Sequence, residues 1–293
     1  MADYDLTQLS ILLVEDSRFS RMLVRSVFFA VGIRQIQLAN DGAQAIELLK
    51  RMGGKGDQDG GSSVDMVISD LVMPGVDGFD LLKWIRRDPE TPNAFLPFTL
   101  LTARADPDVV AQSRDLGANE FIAKPFSAAS IASRLSAVIN TPRQYVLTSS
   151  YFGPDRRRQQ IEGVNPDRRV TKQEDTEIFH SPRKPSSLEL RDGRVCFFRL
   201  KNSLREKLSG SGGGGEISVE RLAEAEQEIA NFGEDFEARA TELLIKMERT
   251  FNRILTNDEN LEDHVRTLNE GAHELRGQGG MFGFPLMSAF AKS

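Results

Sequence analysis

The chain has 293 residues, a formal net charge of −6 and 40% hydrophobic residues, enough apolar material for the cores of about two domains. An acidic chain of this kind has no general attraction for nucleic acid, and its apolar stretches fall far short of the ~18 residues expected of a membrane span. Residues Met1 to Ser10 carry neither a basic stretch nor the long apolar run of a secretory leader. The single cysteine, Cys196, excludes an internal disulfide framework and fits a reducing, cytoplasmic setting. It sits in the run Val195-Cys196-Phe197-Phe198 and reads as a small buried hydrophobe rather than a reactive thiol.

Short apolar runs alternate with amphipathic segments through residues 9–139. Leu9 to Val14 reads as a buried strand, Ser17 to Val31 as a helix, Gln35 to Leu38 as a second strand and Asp41 to Met52 as a second helix. Gly53 to Ser63 holds five glycines and reads as a mobile loop. Val64 to Ser69, Pro97 to Leu101 and Glu120 to Ala123 supply three more strands, followed by helices near Gly78–Arg87, Asp108–Leu116 and Ser127–Ile139. Five strands alternating with five helices predict an α/β domain over residues 1–140, a doubly wound, flavodoxin-like parallel sheet of five strands.

Residues 141–193 lose apolar periodicity and gain Pro, Arg and Asp. Gly153-Pro-Asp-Arg-Arg-Arg158 is echoed by Asn165-Pro-Asp-Arg-Arg169, which predicts an exposed basic linker with two Pro-Asp turns. Its arginines suit an acidic docking surface or simple solvation. In residues 194–215, Phe197, Leu200, Leu204 and Leu208 stand at helical spacing before a Gly/Ser hinge, Ser209 to Gly215. Residues 216–293 predict an all-α hairpin or bundle. Ile229, Phe232, Phe236, Ala240, Leu243, Met247, Phe251 and Ile254 stripe one helix, and Leu261, Val265, Leu268, Ala272 and Leu275 a second.

In a doubly wound sheet, function collects beyond the carboxyl ends of the strands. Glu15-Asp16 ends the first strand, Asp70 the third and Leu101-Thr102-Ala103 the fourth, and Lys124-Pro125 follows the fifth. Three converging carboxylates repel one another unless a cation lies among them, and hard oxygen ligands with open water positions suit Mg²⁺. Asp70 is then a candidate nucleophile toward a phosphoryl group, with Lys124 neutralising charge, the Thr102 hydroxyl as a donor and small Ala103 leaving room.

Residues 9–139 resemble a response-regulator receiver domain along their whole length. The matching segments are Ile11-Leu-Leu-Val-Glu-Asp16, Asp70-Leu-Val-Met-Pro-Gly75 with Asp77-Gly78, Leu100-Leu-Thr-Ala103 and Phe121-Ile-Ala-Lys-Pro-Phe126. The resemblance implies phosphorylation of Asp70, with Mg²⁺ held by Glu15, Asp16, Asp70 and the Val72 carbonyl. It implies contacts from Thr102 and Lys124 to the phosphoryl group, and an aromatic switch at Phe121. It makes the chain a signalling phosphoryl-transfer module rather than a dedicated enzyme, served by a sensor histidine kinase or a phosphotransfer protein.

Of three histidines, His180 lies in the linker and His264 borders the second apolar stripe. His273 follows the stripe residue Ala272 and is rotated about 100° from it, with Arg276 and Gly277 on its own face. An exposed imidazole, a nearby cation and room for a partner are what a phosphohistidine requires. Ala272-His-Glu-Leu-Arg-Gly-Gln-Gly-Gly-Met-Phe-Gly283 resembles the core of histidine-phosphotransfer domains, with Arg276 where that family usually has Lys. The resemblance spans residues 217–293 and implies phosphoryl exchange between His273 and a receiver. Such domains are four-helix bundles. Either Arg194–Leu208 contributes a helix, two chains pool their hairpins as a homodimer, or the chain is a truncated product. The rival reading is a helical dimerisation or adaptor module gated by the receiver, with His273 inert.

Overall fold

The computed structural model describes residues 2–53, 64–156, 176–180, 195–209, 215–256, 260–279 and 282. The expected loop beyond Gly53, the second Pro-Asp echo and most of the Gly/Ser hinge lie outside the described residues, as do residues 283–293.

The strands are β1 (Ala2–Asp3), β2 (Ser10–Val14), β3 (Gln35–Ala39), β4 (Met66–Ser69), β5 (Phe98–Thr102) and β6 (Glu120–Ala123). Between them run α1 (Arg18–Ala30), α2 (Gly42–Gly53), α3 (Gly78–Arg87) and α4 (Pro107–Leu116), and α5 (Ala128–Asn140) follows. β2 to β6 form a parallel sheet in the order β3-β2-β4-β5-β6. Every residue of β2, β4 and β5 is buried, as expected where helices cover both faces of a parallel sheet. Ile11 and Leu13 join Leu23, Val27, Ile131 and Leu135 in one cluster, while Leu12 and Val14 join Leu49, Leu82, Ile85 and Val109 in another. The alternation along a single strand thus separates the α1/α5 layer from the α2/α3/α4 layer.

Helix starts follow side-chain capping. Ser17, Asp77, Asp106 and Ser127 each accept a hydrogen bond from a backbone N–H in the first turn. Gly117 ends α4 at φ 97°, a left-handed conformation that other residues adopt only with strain.

The described parts of residues 145–198 depart from the expectation of an irregular linker. β7 (Tyr145–Leu147), β8 (Phe152–Pro154), β9 (Thr176–Phe179) and β10 (Val195–Phe198) form a second sheet in the order β8-β7-β10-β9. The helix expected from Arg194 is also corrected, because its first residues form β10 and only α6 (Ser203–Ser209) is helical. Each strand turns only one or two large side chains inward, too few for periodicity to register in a sequence window. Tyr145, Leu147, Phe152, Cys196 and Phe198 pack with Ala94 and Phe95 of the first domain. Cys196 is buried there, as its apolar surroundings suggested. From the first Pro-Asp element, Arg156 lies over Tyr151 and pairs with Asp115 of α4.

Arg86 organises this junction. It is fully buried and donates to the carbonyls of Gly117, Ala94 and Leu96 and to Asn119 Oδ1 at 2.8–3.0 Å. The same Asn119 oxygen accepts from the Tyr145 hydroxyl at 3.2 Å.

The two long helices are α7 (Val219–Leu255) and α8 (Leu261–Gly279), and β11 (Gly215–Glu216) precedes them, paired in parallel with β1. The hairpin is packed on the first domain rather than separate from it. Ala225, Ile229 and Phe232 of α7 join the α1/α5 core. Phe19 of α1 is ringed by Phe232, Phe236 and Phe282 at centroid distances of 5.4–6.1 Å. A methyl group at Gly271 would lie 2.7 Å from Met247 Sδ, so the absent side chain lets α8 approach α7 closely. The α7 stripe is therefore shared between α1 and α8, and the far end of the hairpin is bare: Phe251 and Leu255 of α7 and Leu261 and Val265 of α8 are exposed.

A flexible ammonium cannot reproduce the fork of bonds made by Arg86. Arg86→Lys should lower stability by about 2–4 kcal/mol, read as a fall of several degrees in the thermal midpoint. An unchanged midpoint would show that the fork does not hold the two sheets together.

Candidate functional site

The carboxyl ends of β2, β4, β5 and β6 meet at one acidic hollow. Glu15 and Asp16 follow β2 directly, and Asp70 follows β4. Ligand oxygens from these three carboxylates lie within 4.8 Å of one another. Glu15 is 1% exposed and Asp70 7%, whereas Asp16 is half-buried and forms the open side. Lys124, at the end of β6, is buried and spans two of the three. Its Nζ donates to Glu15 Oε2 at 2.7 Å and to Asp70 Oδ2 at 2.9 Å.

Backbone geometry sets Asp70. Its N–H donates to the Val14 carbonyl at 2.8 Å, and its Oδ1 accepts from the Leu71 N–H at 2.6 Å. A Cβ at Gly78 would lie 2.2 Å from the Asp70 carbonyl oxygen, so only glycine allows α3 to begin against the Asp70 backbone. The Asp77-Gly78 pair of the sequence motif thus has a local reason: Asp77 caps α3 and Gly78 makes room.

Thr102 ends β5, buried, and its Oγ1 accepts from the Arg104 N–H at 3.1 Å. Its carbonyl accepts from the Lys124 N–H at 2.9 Å, tying the two strand ends together. Ala103 is exposed. Phe121 is half-buried beside Leu100 across the β5–β6 ladder. Val72 lies two residues beyond Asp70, half-buried against the α2/α3/α4 core.

The donor set fits a hard divalent cation: three carboxylates, two of them buried, on rigid strand ends. Burial raises the Glu15 carboxyl to about 7; the Lys124 ammonium opposes this and the like charge of Asp70 adds to it. Burial works against the Lys124 charge as well, but Asp70 and Glu15 outweigh it and its pKa moves up. Lys124 therefore stays an ammonium shared by two carboxyl groups, and Glu15 is the member that takes up a proton as pH falls.

Two further residues reach this rim without having been singled out in the sequence. Ser17 donates its N–H to Asp16 Oδ1 at 2.9 Å. Gln278 of α8 donates to Ser17 Oγ at 2.8 Å. Nothing local marks a glutamine so distant in sequence as a neighbour of the first strand. The α8 backbone includes positions 273, 276 and 277, but the side chains of His273 and Arg276 lie outside the described residues, so the proposed cation beside the imidazole does too. His264 is half-buried on α8, and His180 is exposed just after β9.

Residues 11–136 match the response regulator receiver domain family. The chemotaxis protein CheY-3 of Vibrio cholerae is 35% identical over 130 residues, 44% of this chain and 91% of that protein. The probable chemotaxis protein CheY of Rhizobium etli is 32% identical over 131 residues, 45% of this chain and 92% of that protein. Among solved structures, the receiver domain of a Pseudomonas aeruginosa sensor histidine kinase carries a magnesium ion coordinated in its active-site cleft. It is 26% identical, covering 44% of this chain and 94% of that one, with a TM-score of 0.36. The family match ends before the second sheet and the helical hairpin. No helix among the described residues is long and apolar enough to cross a membrane.

The raised Glu15 carboxyl gives the site a pH signature. Its folded value lies above the ordinary 4.5, so the native chain holds an extra proton between about pH 4.5 and about pH 7. The stability contributed by that proton is lost as pH rises through this window. A divalent cation held in the hollow would compete for the same carboxylate. Mg²⁺ affinity should therefore rise with pH, by up to about tenfold per unit below pH 7, and level off above it. Calorimetric titrations across the window test this; a slope that survives Glu15→Gln would refute it.

Proposed function

Because the chain belongs to the response regulator receiver family through residues 11–136, and so to two-component signalling, we propose that Asp70 accepts a phosphoryl group from a phosphohistidine donor and that His273 passes one to or from a receiver. The observation that carries the first half is the Lys124 ammonium 2.9 Å from Asp70 Oδ2, inside a cluster of three carboxylates.

In this reading an Asp70 carboxylate oxygen attacks phosphorus in line with the donor nitrogen. The O–P bond forms as the P–N bond breaks, and the electron pair returns to the donor imidazole. Lys124 neutralises charge on the transferred group, and its bonds to Asp70 and Glu15 orient it beforehand. Thr102 turns its hydroxyl hydrogen toward a phosphoryl oxygen, and the exposed Ala103 leaves the approach open. Glu15, Asp16, Asp70 and the Val72 carbonyl would hold Mg²⁺, which supplies further charge neutralisation. As Thr102 is drawn toward the phosphoryl group, Phe121 follows it inward and carries the change to the β5–β6 face. The donor is a sensor histidine kinase or a phosphotransfer protein.

The reading of His273 is supported by where α8 stands. Gln278 fastens the end of that helix beside Asp16. Gly271, Leu275 and Gln278 are buried on one face, and position 273 is about 140–160° away from each by helical rotation. Position 273 thus falls on a different side of α8 from its buried contacts, which favours exchange with a receiver on another molecule. A second reading, a dimerising adaptor with an inert His273, is favoured by the exposed Phe251, Leu255, Leu261 and Val265 at the far end of the hairpin.

Acetyl phosphate should label the wild-type chain on one carboxylate. Asp70→Asn should take up none, and Lys124→Ala should label at least about a hundredfold more slowly. His273→Ala should keep Asp70 labelling yet lose transfer to a purified partner receiver. Undiminished labelling of Asp70→Asn would overturn the first half, and undiminished relay by His273→Ala the second.

The exposed apolar end also predicts self-association. Sedimentation should show a concentration-dependent dimer, weakened by Phe251→Ser with Leu255→Ser. A wild-type chain that stays monomeric at high concentration would remove the case for the adaptor reading.

A further inference from the structure

The hairpin grips the first domain mainly through apolar contacts around Phe19, Ala225, Phe236 and Leu275. Two of its polar contacts are different in kind, because they end on the loops that build the acidic hollow. Gln278 Nε2 donates to Ser17 Oγ at 2.8 Å. Ser17 in turn donates its N–H to Asp16 Oδ1 at 2.9 Å and caps α1 by accepting from the Ser20 N–H. On the other side, Glu226 Oε2 accepts from the Ala128 N–H at 2.8 Å. Ala128 begins α5, in the loop that descends from Lys124. One contact thus ends next to Asp16 and the other a turn-length of chain beyond Lys124.

Gln278 is a poor choice for packing alone. It is 1% exposed, and its Oε1 is buried without a hydrogen-bond partner among the described residues. A leucine of similar size would fill the position without stranding an amide oxygen. What the amide adds is the bond to Ser17.

We propose that Gln278 is a positioning residue for the acidic hollow: through Ser17 it holds the Asp16 carboxylate in place, so that docking of the helical hairpin and occupancy of the hollow strengthen each other. Glu226 does the same for the Lys124 loop. The coupling is reciprocal by linkage. A hairpin held on α1 tightens cation binding, and a bound cation tightens the hairpin. The proposal rests on Glu15, Asp16 and Asp70 being the cation site, and its test keeps the two apart.

Mg²⁺ is titrated calorimetrically into the full chain. Gln278→Leu should weaken binding about two- to tenfold with helicity by circular dichroism unchanged. Phe19→Ala, which loosens the apolar seam, should weaken it similarly, and the double variant should be little worse than either single one. In wild type, Mg²⁺ should slow amide exchange in the last turns of α8, and in Gln278→Leu it should not. Asp16→Asn is the reference. If it binds Mg²⁺ as wild type does, the cation-site reading itself fails. If it abolishes binding while Gln278→Leu keeps wild-type affinity and exchange, only the coupling is overturned. Should Gln278→Leu not fold, Glu226→Ala, at an exposed position, decides. It should slow acetyl phosphate labelling of Asp70 about two- to tenfold, and an unchanged rate would overturn the proposal.

Discussion

One ammonium, that of Lys124, joins two buried carboxyl groups at the ends of neighbouring strands, with the half-buried Asp16 beside them, and the rest of the molecule is arranged around that cluster. Lys124 pairs with both Glu15 and Asp70, so a single ammonium serves two buried carboxyl groups. Burying like charges at this separation is costly unless a proton or a cation completes the set. The parallel sheet makes the cluster unavoidable, because its strands all end on the same side, and full burial of β2, β4 and β5 leaves those ends rigid. Two buried carboxyl groups against one ammonium favour a proton or a cation in the hollow.

Legibility in the sequence followed how local the physics was. The five parallel strands and their helices could be read because each strand is an apolar run long enough to stand out and each helix has a capping residue before it. The Glu15, Asp16, Asp70, Thr102 and Lys124 positions were legible because strand ends in a parallel sheet converge by topology. The second sheet was not, because Tyr145-Val-Leu147 and Phe152-Gly-Pro154 are three-residue strands amid proline and arginine. Their stability comes from Phe95 and Arg86, which belong to the other domain. The α7 stripe was visible, but not its occupant. A row of Phe, Ala, Leu and Met specifies burial without saying whether α1, α8 or a second chain provides it. Gln278 was opaque for a related reason: a single polar residue announces no partner, and Ser17 lies almost the whole chain away.

The two additions to the receiver sit at opposite places. The second sheet is fastened through the α3–β5 and α4–β6 connections, at the amino ends of the strands, by Arg86 and Asn119. The hairpin stands on α1 and α5 and reaches the carboxyl ends, where the chemistry is. Among the described residues, the hairpin is thus better placed than the second sheet to respond to the state of Asp70. The described strands of the second sheet meet the receiver at its opposite end.

The pairing of β1 with β11 bears on how the chain is made. Ala2 pairs with Gly215 and Asp3 with Glu216, so β1 has no strand to join until Gly215 and Glu216, far along the chain, have been made. Tyr4, buried against Gly215 in the finished molecule, must wait in the same way. Closing so long a loop carries an entropy cost that local contacts do not. β1 is therefore expected to find its place after the parallel strands, whose partners lie much nearer in sequence.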